Sequence, residues 1–153
     1  VGATGLIRHK APWHPSGFYN SPEESKRAFR HGWYYPGDIG HVDERGYLFI
    51  TGRAKDMIIR GGVNIYPDEI EATLLKRPEI VDAAVVGRSH PELGEEVVAF
   101  VVAEGPIDPD ALKAHCRADL AGYKVPVEFI AIDAMPRNQS GKILKHVLRA
   151  RFG

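Results

Sequence analysis

With 153 residues, 44% of them hydrophobic and 9% aromatic, the chain holds one ordinary domain, or one domain with a piece of another, and is too apolar for a disordered polymer. Lys plus Arg and Asp plus Glu number 20 each, a formal net charge of zero. That excludes the global positive field of non-specific nucleic-acid binders, so nucleic acid is not an expected partner. The single cysteine, Cys116, excludes an internal disulfide and an all-cysteine metal cage, and fits a reducing, cytoplasmic setting. The longest apolar run, Val97 to Ala103, is too short to span a bilayer. The opening Val1-Gly2-Ala3 lacks an initiator Met and a signal-peptide pattern, and reads as the middle of a longer protein.

The first thirty residues are punctuated by Gly2, Gly5, Pro12, Pro15, Gly17 and Pro22, which predicts loops around short extended pieces. A short helix is expected over Glu23 to Arg30, then an aromatic strand at Trp33 to Tyr35. Ile39 to Val42 and Tyr47 to Thr51 flank Asp43-Glu44-Arg45-Gly46, a turn tetrad, and so predict a hairpin. Gly52 to Asp56 is polar and reads as a linker. Beyond it strands and helices alternate, beginning with Met57 to Ile59 and Val63 to Ile65. Pro67 with Asp68 and Glu69 opens a helix whose Ile70 and Leu74 share one face, and Lys76-Arg77-Pro78 closes it. Ile80 to Val86 and Glu96 to Ala103 are β-branched-rich strands, expected to pair across a Gly87 to Gly94 loop. Asp108-Pro109 starts another helix, with Leu112, Cys116 and Leu120 on one stripe. Val127 to Ile132 is the next strand, and a polar loop over 135–141 leads into a terminal helix expected over 142–152.

Taken singly, the chemistry-bearing residues are weak signals. There is no GxGxxG, and Gly141-Lys142 lacks the remainder of a P-loop. Lys142 follows the polar stretch Pro136-Arg137-Asn138-Gln139-Ser140-Gly141, from which an ammonium reaches an external anion or simply sits in solvent at a helix start. Asp38, after Gly37, is either an acceptor for a diol or the Asp of a turn. The nearest histidine pair, His9 and His14, has neither helical spacing nor a neighbouring cysteine, so no metal site is expected. Ser89-His90 lacks a GxSxG elbow, and Cys116 on its apolar stripe reads as a small buried hydrophobe.

In combination they point further. Gly37-Asp38, Gly52-Arg53-Ala54-Lys55-Asp56-Met57-Ile58-Ile59-Arg60-Gly61-Gly62, Pro67-Asp68-Glu69-Ile70-Glu71 and Pro136-Arg137-Asn138-Gln139-Ser140-Gly141-Lys142 occur in that order. This series resembles the adenylate-forming superfamily, with acyl-CoA synthetases as the nearest branch. Tyr19 to Glu23 and Phe29 to Trp33 also resemble the family's stretch before its ribose-binding Asp, so the likeness spans nearly the whole chain. It implies an α+β architecture. Residues 1–52, a hairpin and loops, would end a large N-terminal domain, 53–55 would be a hinge, and 56–153 would be a small mobile C-terminal domain with a short mixed sheet flanked by helices.

The resemblance also implies roles. Asp38 would bind both ribose hydroxyls of ATP or AMP, and Arg53 would contact the nucleotide beside it. Lys142 would be catalytic in adenylation, Lys55 would be the pivot of domain rotation, at a position where many relatives carry Asp, and Gly61 and Gly62 would line the tunnel for the thiol arm of CoA. Pro36 replaces a Thr common before Gly-Asp, which removes a hydroxyl but leaves the Asp38 carboxylate. The family's glycine-rich phosphate loop and aromatic-X-Thr-Glu motif are absent from these residues. ATP with magnesium is therefore expected to be held mainly by an N-terminal domain of the same enzyme, which also supplies the carboxylic-acid pocket. The implied activity is AMP-forming acyl-CoA synthesis, with the chain inactive by itself. The alternatives are an adenylation domain that loads a carrier protein and a non-catalytic binding module that kept the fold.

Overall fold

The computed structural model describes residues 2–152, and the chain divides into two compact units, Val1–Lys55 and Asp56–Gly153. The architecture is α+β.

In the first unit, strand β1 (Gly5–Leu6) is followed by helix α1 (Pro22–Ala28), whose Pro22 at the first turn and Glu23 and Glu24 at the positive end are ordinary helix-start chemistry. A two-stranded ribbon, β2 (Phe29–Arg30) and β3 (Trp33–Tyr34), precedes the hairpin of β4 (Asp38–Val42) and β5 (Leu48–Arg53). The three-stranded sheet has the order β1-β4-β5 and is antiparallel throughout. Asp43 closes the hairpin turn, its Oδ1 accepting from the backbone of Arg45 at 3.0 Å and of Tyr47 at 2.8 Å. A bulge falls between Ile39 and Gly40. A Cβ at Gly40 would lie 2.2 Å from the Phe49 carbonyl oxygen, so only glycine lets the two backbones pass. The polar stretch read as a linker is partly strand, because Gly52 and Arg53 pair with Ile39 and Asp38 and extend β5.

The second unit is built on one long hairpin. Strand β6 (Ile58–Arg60) and strand β7 (Val63–Ile65) come first, then helix α2 (Pro67–Leu74). Strands β8 (Ile80–His90) and β9 (Gly94–Ala103) pair antiparallel along nearly their whole length. Helix α3 (Pro109–Asp119) follows, capped by Asp108, whose carboxylate accepts from the backbone of Asp110 and Ala111. Strand β10 (Glu128–Ala131) lies parallel to β9, which makes the sheet mixed, and helix α4 (Lys145–Arg149) continues as a turn of 3-10 helix to Phe152.

Alternation along β8 and β9 builds two cores. Ala83, Val85, Val97, Ala99 and Val101 join Ile70 and Leu74 of α2 and Leu112 and Cys116 of α3 on one face. Ala84, Val86, Val98 and Phe100 join Met135 and Leu148 on the other, with Ile143 and Phe152 packed against them. The sheet is therefore buried on both sides, which explains why its strands read as continuous apolar runs. Each fully buried Val or Leu contributes roughly 1.5–3 kcal/mol.

Two further sequence expectations need correction. The loop expected over 87–94 is only Pro91 to Leu93, because Arg88, Ser89 and His90 pair with Glu96, Glu95 and Gly94. The Arg88–Glu96 ion pair at 2.8 Å carries the strands through polar residues, and the His90 ring nitrogen accepts from the Glu92 and Leu93 backbones to close the turn. The terminal helix begins at Lys145, not at Lys142. Lys142 donates its backbone N–H to Asn138 Oδ1, Ile143 forms a bridge with Arg137, and Leu144 donates to the Pro136 carbonyl, so these residues are committed to the loop.

Cys116 is fully buried, and desolvation pushes its thiol up to about 11. The expected outcome of alkylation at pH 8 is no modification of Cys116 in the folded protein and complete modification in guanidinium, read by peptide mass mapping. Rapid labelling of the folded protein would contradict this packing.

Candidate functional site

Four features of the sequence converge on two places within the first unit and two within the second. In the first unit, register brings Asp38 and Arg53 face to face. Asp38 opens β4 and Arg53 closes β5, and they are paired partners across the hairpin. Arg53 Nε lies 3.0 Å from Asp38 Oδ1, and its Nη1 donates to the Pro36 carbonyl at 2.8 Å. The guanidinium therefore fixes both the carboxylate and the turn before it. Gly37, at φ +82°, turns the chain into β4, and its carbonyl accepts from the Ala54 backbone at 2.9 Å. The Asp38 side chain remains 22% exposed. An ionised carboxylate has about four lone-pair sites, and one contact with Arg53 leaves acceptors for a diol. Lys55 borders an open cleft of about 380 Å³ together with Tyr35, Pro36 and Gly37.

In the second unit, Gly61 and Gly62 are the two central residues of the β6–β7 hairpin, between the paired residues Arg60 and Val63. Their φ values are +57° and +78°. A two-residue hairpin turn with both φ positive is the primed type that matches strand twist, and it favours glycine at both places. Room is not the constraint, since a Cβ at Gly62 would meet nothing within 4 Å. The Gly61 backbone donates to the Leu93 carbonyl at 2.8 Å, tying this turn to the β8–β9 turn.

Lys142 belongs to the C-terminal segment, away from the glycine turn in the chain. It is exposed, and among the described residues its ammonium has no hydrogen-bond or ion-pair partner. Its backbone, by contrast, is held firmly. Asn138 Oδ1 accepts from Lys142 N at 2.9 Å, Ser140 N at 3.1 Å and Ser140 Oγ at 3.0 Å, while Asn138 N donates to the Lys142 carbonyl at 3.0 Å. Ile143, next in the chain, packs on the Phe100 face of the sheet, whereas Ile58 and Ile65 beside the glycine turn pack on the Val85 face. The lysine is thus carried by the segment that covers the Phe100 face, while the glycine turn lies at the end of the β6–β7 hairpin beside the β8–β9 turn.

Two sets of contacts near the site were not foreseen from the sequence. Arg137 donates from Nη2 to Asp82 Oδ2 and from Nη1 to the Gly141 carbonyl, each at 2.5 Å. Lys145 pairs with Glu71 at 2.7 Å, and Glu71 Oε1 also accepts from the Val85 backbone at 2.7 Å. Burial raises the Glu71 carboxyl above its ordinary range, against the opposing pull of Lys145 and of the Val85 hydrogen bond. The Asn-X-Ser-Gly spacing did carry a signal for the Asn138 turn. No local signal marks Asp82, and although Glu71 lies in a quoted motif, nothing there announces its partners distant in the chain.

His9 and His14 do meet, with ring nitrogens 2.8 Å apart and both rings edge-on to Tyr34. Among the described residues, however, no group of three or more His, Cys, Asp or Glu is placed to hold a metal ion, and no helix is long and apolar enough to cross a membrane.

Comparison with known proteins gives this geometry a family. Residues 69–142 match the AMP-binding enzyme C-terminal domain. The 2-succinylbenzoate–CoA ligase of Bacillus velezensis is 40% identical over 144 residues, which is 94% of this chain and 30% of that protein. A long-chain-fatty-acid–CoA ligase of Mycobacterium tuberculosis is 43% identical over 136 residues, 88% of this chain and 27% of that protein. The structure of o-succinylbenzoate CoA synthetase from Bacillus subtilis in complex with an acyl-adenylate intermediate superimposes with a TM-score of 0.91 at 35% identity, over 97% of this chain and 31% of that one. The chain therefore spans about 30% of the length of the curated relatives it matches. By its motifs, its fold and these likenesses, the chain belongs to the adenylate-forming superfamily and corresponds to the C-terminal part of its acid–CoA ligases.

Proposed function

We propose that this chain is the C-terminal region of an ATP-dependent, AMP-forming acyl-CoA synthetase. Residues 1–52 end its large N-terminal domain, 53–55 are the hinge, with Lys55 as its pivot, and 56–153 are the mobile C-terminal domain. Exposed Tyr47, Leu48, Phe49 and Ile50 on the β4–β5 hairpin support the first part of this reading, because so large an apolar surface suits contact with a further part of the polypeptide.

The observation that carries the proposal is that one unit holds Lys142, on the segment covering the Phe100 face of the sheet, apart from the Gly61–Gly62 turn at the end of the β6–β7 hairpin. The overall reaction has two half-reactions, and a domain with two separate tools serves both by turning. In the first, a substrate carboxylate oxygen attacks the α-phosphorus of ATP, a P–O bond breaks, and pyrophosphate leaves. The Lys142 ammonium, free of internal partners, then donates to the oxygens on which charge gathers. Asp38, steadied by Arg53, accepts from the ribose hydroxyls and fixes the nucleotide. In the second half-reaction, the thiol of CoA attacks the acyl carbonyl and AMP leaves, with the turn at Gly61 and Gly62 presenting backbone to the pantetheine arm. Magnesium enters with ATP, and no described cluster of this chain's residues is assigned to hold it. The carboxylic acid, ATP and CoA are the small-molecule partners, and the preceding N-terminal domain is the protein partner. The reading places the enzyme in the cytoplasm and the isolated chain as inactive. A carrier protein as acyl acceptor is the neighbouring alternative, and substitution of a phosphopantetheinyl carrier for CoA in the second half-reaction distinguishes it.

Two outcomes are expected in the complete polypeptide. Lys142→Ala lowers acyl-adenylate formation by roughly 100–1,000-fold, the range for losing one preorganised donor, and spares thioester formation from supplied adenylate. Equal losses in both half-reactions would remove the assigned role. Asp38→Asn raises KM for ATP by roughly 10- to 100-fold, as expected for a lost charged hydrogen bond, with less effect on KM for the acid, both read from steady-state kinetics.

A further inference from the structure

We propose that the segment from Arg137 to Lys145 is a strap pinned at both ends, and that the Arg137–Asp82 ion pair is the positioning device that sets where Lys142 stands. This rests on the adenylation role assigned to Lys142 above. An ammonium with no partner of its own is placed by its backbone alone, so whatever holds that backbone decides where the charge lies.

The strap's first pin starts in the sheet. Strand β8 shifts register between Ile80 and Asp82, the two pairing with Ala103 and Val102, so Val81 is an extra residue in the ladder. Bulges of this kind re-aim a side chain. Here the side chain is Asp82. Its Oδ1 accepts from the Ala83 backbone at 3.0 Å, which holds the carboxylate still, and its Oδ2 takes Arg137 Nη2 at 2.5 Å. The same guanidinium donates from Nη1 to the carbonyl of Gly141, the residue directly before Lys142. One planar fork therefore links the sheet to the base of the lysine, a geometry that an ordinary ammonium does not reproduce. Asn138 closes the loop between, with three acceptances on Oδ1, one of them from the Lys142 backbone itself.

The second pin is Lys145 on Glu71. Both side chains are largely buried, and Glu71 also holds the Val85 backbone of β8. The two pins differ in kind. Glu71 and Lys145 are shielded, and removing either leaves a charge inside the protein, a change that unsettles the fold itself. Asp82 and Arg137 have side chains 23% and 44% exposed, and a pair so open to solvent adds little to stability. Its effect is therefore geometric, and it is separable from folding.

The test uses the complete polypeptide with Asp82→Asn, which keeps size, and Arg137→Met, which keeps the aliphatic stem, each removing the ion pair, and Lys142→Ala as the reference. Adenylation is read by acid-dependent ATP–pyrophosphate exchange, and the second step by thioester formation from supplied acyl-adenylate and CoA. The expected result for both pair variants is a kcat for exchange lowered by about 10–100-fold, the effect of misplacing a reacting group from a distance, with KM for ATP and the thioester step little changed. Unchanged exchange, or parallel loss in both steps, overturns the strap. If Lys142→Ala itself spares exchange, the underlying assignment fails. If Lys142→Ala depresses exchange selectively while the pair variants do not, the strap alone fails.

Discussion

Everything in the second unit depends on one constraint: the β8–β9 hairpin is buried on both faces. Val85, Val97 and Val101 require helices α2 and α3 on one side, while Ala84, Val98 and Phe100 require the Met135 to Phe152 segment on the other. The C-terminal segment is too short to fold by itself, with a five-residue helix and a final 3-10 turn. Packing of Ile143, Leu148 and Phe152 on the sheet therefore holds it in place. The loop that carries Lys142 inherits its position from that packing.

This arrangement separates what must be rigid from what must be free. The backbone around Lys142 is tied by Arg137 and Asn138, and the ammonium is left to solvent. A buried or paired lysine would have to break an internal contact before meeting a phosphate. In the first unit the logic is inverted. Asp38 is already engaged with Arg53, which limits its motion while leaving acceptors for a ligand. The glycine turn contributes by backbone geometry instead, since positive φ at Gly61 and Gly62 turns the chain tightly without a side chain at the tip.

The candidate residues were legible because they sit in short motifs whose order is distinctive. Asp38, Arg53, Lys55, Gly61, Gly62 and Lys142 can all be named without coordinates, and the α+β alternation follows from Pro67, Asp108 and the two Val-rich runs. What supports those residues was not legible. The Asp82–Arg137 contact joins positions 55 residues apart, and no periodicity encodes such a meeting. The strand from Arg88 to His90 looked like loop because its residues are polar, yet cross-strand pairing with Glu96 and Gly94 carries it. Likewise Lys142 to Leu144 looked helical by composition, and only the Asn138 and Pro136 hydrogen bonds withdraw them from the helix. Local propensity failed where side-chain and loop hydrogen bonds from elsewhere claimed the backbone first.

The most direct measurement is AMP release by the complete polypeptide, given ATP, magnesium and a panel of carboxylic acids, with and without CoA. The account predicts AMP formation that requires one class of acid and turns over only when CoA is present. Folded protein that releases no AMP with any acid, or that turns over equally without CoA, would contradict the synthetase reading.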